Sequence, residues 1–184
     1  VIGSAGRLCP VKDYSFMIEI AKAVKEKTKN IKFHLAGEGP ERSKLQALIQ
    51  QYDLNETFVL KGHLEDMPPF YRSLDLYLNT SVHEGIPMSI LEAMAHSLPV
   101  VAPNVGGISE VVDNGEDGYL IEKRDPKAFA EKCLLLYKNR ELRRRMALAA
   151  REKIVRSFSV ENMAAQYHEL YLSKGLEGLE GLED

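Results

Sequence analysis

The sequence predicts an α/β domain in which helices cover both faces of a parallel sheet. Two observations carry this expectation. Strand-like and helix-like segments alternate along the chain, and the strand-like segments are short and apolar, as strands buried on both faces are. A third sets the scale: 184 residues, 45% of them hydrophobic, suit one well-cored domain.

The elements follow in order. Val1 to Leu8 reads as a strand, and Tyr14 to Lys27 as an amphipathic helix with Phe16, Ile20 and Val24 on one face. Lys32 to Ala36 is a strand stopped by the turn Gly37-Glu38-Gly39-Pro40. Glu41 to Tyr52 is helical, with Leu45, Leu48 and Ile49 facing inward. Thr57 to Lys61 is the next strand, Met67 to Arg72 a short helix, and Leu74 to Asn79 a strand. Met88 to Ser97 is helical, Pro99 to Ala102 a strand, and Tyr119 to Ile121 a last short strand. Pro126 to Tyr137, Arg140 to Val155 and Val160 to Leu172 are helices, the first opening on a proline where one is tolerated. Open sheets of this type bind ligands at the carboxyl ends of their strands, so the loops after Leu8, Ala36, Lys61, Asn79 and Ala102 are the ones to inspect.

The formal charge of -3 is more than accounted for by the C-terminal repeat GLEGLEGLED, residues 175–184, which holds four acids and no base. It reads as an engineered or disordered tail, which leaves one domain over residues 1–174. Without the repeat, 24 basic side chains face 23 acidic ones, and a near-neutral body argues against broad capture of nucleic acid. No apolar run approaches the roughly 18 residues that span a bilayer, and no signal-peptide layout opens the chain. The chain instead opens at Val1 on a core strand, which predicts a fragment start. Cys9 and Cys133 lack metal-ligand spacing and read as reduced structural thiols, fitting the cytoplasm.

The segment from Ser73 to Glu122 contains no Lys or Arg. Within it, Glu92 is the only acid of the helix MSILEAMAHS, and a carboxylate there is costly to bury unless something donates to it. Glu84 lies eight residues earlier, in the loop leaving the strand at Asn79. The pair reads either as a solvated loop acid with a structural helix acid, or as two carboxylates facing one cleft. In the second reading the free amides of Met88 and Ser89 would offer a phosphate site. Arg7 and, five residues on, Lys12 would overhang the same edge, Arg suited to a bidentate phosphate grip and Lys to a mobile point charge.

The Gly37-Glu38-Gly39 turn begins like a dinucleotide fingerprint but carries Arg42 at the third glycine position. Lys61 stands where an acid should grip the ribose, so the turn points away from NAD. Gly106-Gly107-Ile108-Ser109-Glu110 fits a turn with a helix cap as well as it fits a ligand contact. His63 and Leu64 follow the strand at Lys61 and Gly62, where a flat base could lie, while His34 reads as a core or sheet-face residue. The sequence has no D-x-D motif, clustered metal ligands or Ser-His-Asp spacing.

Together these residues resemble the C-terminal domain of the family 4 glycosyltransferases, which have the GT-B fold: a Rossmann-like parallel sheet with helices on both faces forms each half. The resemblance runs from Ile2 to about Tyr171. It includes Gly6-Arg7-Leu8 with Lys12, the turn from Ala36 to Pro40, and Gly62. It also includes the E-x7-E motif from Glu84 to Glu92, the run Pro99-Val100-Val101, and Gly106, Gly107 and Glu110. It implies a retaining hexosyltransferase whose donor, a nucleotide diphosphate sugar of UDP or GDP type, binds here without metal or other cofactor. Arg7 and Lys12 would hold the diphosphate, Glu92 would accept from the ribose hydroxyls, and Glu84 would contact the donor sugar near the reacting centre. The backbone from Gly85 through Ile86, Met88 and Ser89 to Ile90 would touch sugar and phosphate, with His63 and Leu64 near the base and Gly6 also among the donor-binding residues.

The resemblance also implies a missing N-terminal half that binds the acceptor, so the chain alone would be inactive. Any membrane association, peripheral at the inner face, would come through that half. The helix from Val160 to Leu172 would cross towards it, leaving Met163, Tyr167 and Leu170 partly uncovered. Two positions depart from the family pattern: Asp13 replaces the usual glycine, and Pro87 stands where many relatives have glycine. The alternatives are a stand-alone nucleotide-sugar-binding or regulatory subunit, and another GT-B-like enzyme such as a nucleotide-sugar epimerase.

Overall fold

In the computed structural model, which describes residues 1–177, six strands form one parallel sheet. They are β1 (Ile2–Ala5), β2 (Phe33–Ala36), β3 (Phe58–Gly62), β4 (Leu76–Leu78), β5 (Val100–Pro103) and β6 (Gly118–Ile121), in the order β3-β2-β1-β4-β5-β6. Every neighbouring pair is parallel. Parallel strands need crossovers, and helices supply them on both faces. The architecture is the α/β one that the alternating segments predict, and Rossmann-like as the resemblance implies.

Two cores result. On one side α1 (Tyr14–Lys25), α2 (Arg42–Gln51) and α6 (Pro126–Lys138) pack Met17, Ile20, Leu45 and Phe129 against Phe33 and Leu35. On the other, α3 (Pro68–Arg72), α4 (Met88–Ala95), α5 (Ile108–Val111) and α7 (Arg140–Ser157) pack Tyr71, Ile90, Ile108 and Ala150 against Tyr77, Val100 and Ala102. Adjacent residues of one strand, such as Leu35 and Ala36, enter opposite cores because successive side chains point to opposite faces.

Strand order reverses between β1 and β4. The loops leaving those strands diverge, which opens a crevice at the carboxyl edge of the sheet.

The strand at the N-terminus is shorter than the expected run to Leu8. After Gly6 donates to Ala36 O at 3.0 Å the chain turns, and Leu8 exchanges backbone bonds with Glu38 and Glu41. Leu8 is fully buried, so its apolar character reports a loop plug and not a strand residue. Helix starts are sharper: Asp13, Asp125 and Asn139 each accept a first-turn amide with the side chain.

The final helix, α8 (Val160–Glu177), extends past Leu172. Residues 175–177 of the repeat continue it, and 178–184 lie outside the described residues. Met163, Tyr167 and Leu170 are 53%, 55% and 50% exposed, as expected of a partly uncovered face. With Ile86, Met88 and Leu91 they line a groove of about 790 Å³ between α8 and α4. Among the described residues no helix is long and apolar enough to cross a membrane.

The turn after β2 fits only glycine. Gly37 has φ +136°, and a Cβ there would stand 1.9 Å from Gly6 O. Gly37→Ala should therefore lower unfolding stability by about 2 kcal/mol or more, measured as a shift of the urea midpoint at unchanged slope.

Candidate functional site

At the crevice the loops after β1, β2 and β3 and the start of α4 enclose a pocket of about 460 Å³. Such a volume holds a mid-sized ligand. Gly6, Arg7, Glu38, His63, Leu64, Tyr71, Met88, Ser89 and Glu92 line it. Seven of these the sequence had nominated; Glu38 and Tyr71 it had not.

Arg7 is exposed and has no hydrogen bond or ion pair among the described residues. In the same pocket, α4 begins after Pro87, whose carbonyl accepts from Ile90 N at 2.9 Å and Leu91 N at 3.2 Å. The amides of Met88 and Ser89 take no backbone partner among the described residues, leaving two donors at a helix N-terminus. Arg7 and the start of α4 thus line one pocket, and a cation beside free helix N-terminal amides suits an anion. One turn along, Glu92 is an exposed side chain whose Oε2 accepts from Tyr71 Oη at 2.6 Å.

Lys12 and Glu84 form a second cluster beside this pocket. Lys12 Nζ donates to Glu84 Oε1 at 2.6 Å, joined by Ser81 Oγ at 2.6 Å and Asn79 Nδ2 at 3.4 Å. Burial pushes the Glu84 carboxyl up, but these hydrogen bonds and the Lys12 charge outweigh it, so the net shift is downward. Glu84 is therefore a carboxylate at neutral pH, with all three donors on one oxygen.

The loops that carry the pair are joined through backbone atoms. Val82 N donates to Val11 O at 2.9 Å, and Thr80 Oγ1 to Lys12 O at 3.0 Å. Behind Glu84, Gly106 at φ +54° leaves no room for a Cβ, which would lie 1.9 Å from Glu84 O, and Gly107 N donates to that oxygen at 3.1 Å. The Gly106-Gly107 turn is thus a backbone support for the Glu84 loop as well as the start of α5.

Asp13 also finds its reason here. It sits at φ 41°, a left-handed conformation natural for glycine and tolerated by Asp. Its side chain accepts from Phe16 N at 3.2 Å and pairs with Arg124, which also donates to Thr80 O at 3.0 Å and lies over the Phe16 ring. The aspartate adds a strut to a position where glycine adds none.

The rest of the nominated stretch divides. Gly85 and Ile86 are exposed, with the Ile86 side chain turned to the groove against α8. Ile90 is fully buried in the second core and its amide is engaged by Pro87, so it lies outside the pocket. His34 is half-buried on the sheet face with Nδ1 unpartnered; burial first, then Lys61, lower its pKa. Tyr71 had no sequence signal of its own beyond the inference that the lone helix acid needs a donor.

The lowered Glu84 pKa fixes a pH dependence. Its contribution to stability is complete above the ordinary value of 4.5 and is lost as pH falls through the lower folded value. Glu84→Gln should flatten the acid limb of stability, read from urea midpoints between about pH 3 and 5.

Residues 1–153 match the family described as glycosyl transferases group 1. The poly(ribitol-phosphate) alpha-N-acetylglucosaminyltransferase of Staphylococcus aureus (strain COL) is 32% identical over 174 residues, covering 94% of this chain and 35% of that protein. A crystallised S. aureus TarM mutant in complex with Fondaparinux, alpha-GlcNAc-glycerol and UDP superposes with TM-score 0.88 at 31% identity, over 92% of this chain and 35% of that one. The C-terminal domain of a group 1 family protein from Francisella tularensis superposes with TM-score 0.79 at 27% identity, over 86% of each chain. The chain spans between a third and a half of the length of the curated relatives it matches. By the extent of the family match and the likeness to these folds, the chain belongs to the group 1 glycosyl transferases and has the fold of a GT-B C-terminal domain.

Proposed function

We propose that this chain is the donor-binding domain of a retaining, metal-independent family 4 glycosyltransferase that moves a hexose from a nucleotide diphosphate sugar to an acceptor held by a second domain. The observation that carries the reading is the pocket that Arg7, unpaired among the described residues, shares with Met88 and Ser89, whose amides take no backbone partner there, and with Glu92 one turn further along. A diphosphate needs concentrated positive potential, and a cation beside a helix N-terminus supplies it. The UDP held by TarM supports a donor of UDP type.

In this reading Arg7 and the α4 amides grip the diphosphate. As the glycosidic bond breaks, charge grows on the leaving phosphate, and fixed donors stabilise it without reorganising. Lys12 stands beside the same edge and can lend its charge when it loosens from Glu84. Glu92 accepts from the ribose hydroxyls. Glu84 keeps one carboxylate oxygen for the donor sugar while its other holds Lys12, Ser81 and Asn79. Glu38, His63 and Leu64 flank the base. The absence of a D-x-D motif from the sequence agrees with charge stabilisation by cations and amides.

Calorimetric titration with UDP, GDP, ADP and their common sugar conjugates tests the reading. One nucleotide diphosphate should bind saturably and more tightly with its sugar attached. Glu92→Ala should weaken binding by about 1–3 kcal/mol, the scale of a lost charged hydrogen bond. Glu84→Ala should spare the bare nucleotide and erode sugar discrimination. Equal loss of bare-nucleotide affinity in both variants would sink this division of roles.

A further inference from the structure

Glu92 is an exposed side chain on a helix, and such a glutamate samples several rotamers. Here it does not stand alone. Tyr71 is 1% exposed, and its hydroxyl reaches the pocket to donate to Glu92 Oε2 at 2.6 Å. The ring that carries this hydroxyl is held by three others. Phe70 meets it edge-on at 5.8 Å, Tyr77 lies tilted at 6.2 Å, and His96 stacks on it at 5.1 Å. His96 is itself fixed at the end of α4, its Nδ1 2.8 Å from Glu92 O. Burial, then the neighbouring Tyr77 and the Glu92 carboxylate, push the phenol pKa far up, so the hydroxyl remains a donor.

We infer that Tyr71 is a positioning residue for the ribose end of the site, holding one Glu92 oxygen so that the other is aimed into the pocket before ligand arrives. The inference rests on the reading that Glu92 accepts from the ribose. One carboxylate oxygen accepts from a rigid donor inside the protein, and the second is left for a ligand hydroxyl. Ordering a flexible side chain in advance removes part of the entropic cost of binding. The benefit falls only on ligands that offer a hydroxyl to that oxygen.

The test compares UDP with 2′,3′-dideoxy-UDP, which lacks both ribose hydroxyls, by calorimetry on this chain. Tyr71→Phe keeps every ring contact, and because Glu92 is exposed, water can replace the lost donor, so the fold should survive; a thermal melt checks this. The ratio of the two affinities should fall about 2–10-fold in Tyr71→Phe, the scale of one ordered side chain. It should fall to near one in Glu92→Ala, with Tyr71→Phe adding nothing further in the double variant. Phe70→Leu, which loosens the same aromatic packing and leaves the hydroxyl in place, should keep the ratio. A normal ratio in Tyr71→Phe beside a collapsed one in Glu92→Ala would overturn the positioning role and leave the site reading intact. A ratio unchanged in Glu92→Ala would overturn both, and an equal fall in Phe70→Leu would reduce Tyr71 to packing.

Discussion

The carboxyl edge of the sheet is built by backbone packed on backbone. The turn after β2 presses on Gly6 through Gly37, and the turn after β5 presses on Glu84 through Gly106 and Gly107. Side chains at these points would separate the loops by the width of a methyl group or more. With them absent, the ends of β1 and β4 are braced from both sides, and the crevice between them keeps its width. Arg7, Glu84 and the start of α4 all hang from this frame, so the placement of their backbones rests first on contacts that involve no charge.

On that frame the charged groups are treated unequally. Arg7 stands unpaired among the described residues, free to meet an anion. Lys12 is held by Glu84, and Glu84 by Lys12, Ser81 and Asn79. A paired lysine costs little to keep near the sheet edge, whereas two unpaired cations and two bare amides on one small pocket would repel one another. The arrangement stores part of the positive potential as an ion pair and exposes the rest. Asp13 and Arg124 add a second pair behind the first, bracing the turn from Pro10 to Lys12 in a position where glycine would leave it freer.

The acids divide the same way. Glu84 is largely enclosed by donors, and Glu92 is exposed but aimed by one buried hydroxyl. Two carboxylates of identical chemistry thus acquire different environments, one fixed by charge and one by an aromatic cage.

Local order settled much of this protein in advance. Alternating periodicity determined six strands and their helices, since burial on two faces leaves a recognisable run of apolar residues. Chain order then determined which residues sit at the carboxyl edge, because a residue just past a parallel strand can lie nowhere else; Glu84 and His63 were legible on that ground, and Arg7 from the end of the first strand. The sequence could not tell Leu8 as a loop plug from Leu8 as a strand residue, since both are apolar. Nor could it show that Ile90 turns to the core while Ser89 and Glu92 turn to the pocket. Only tertiary structure decided the partners: Lys12 with Glu84 across 72 residues, Arg124 with Asp13 across 111, and Tyr71 under Glu92. Such pairs depend on strand order and on close approach through space, neither of which leaves a period in the chain.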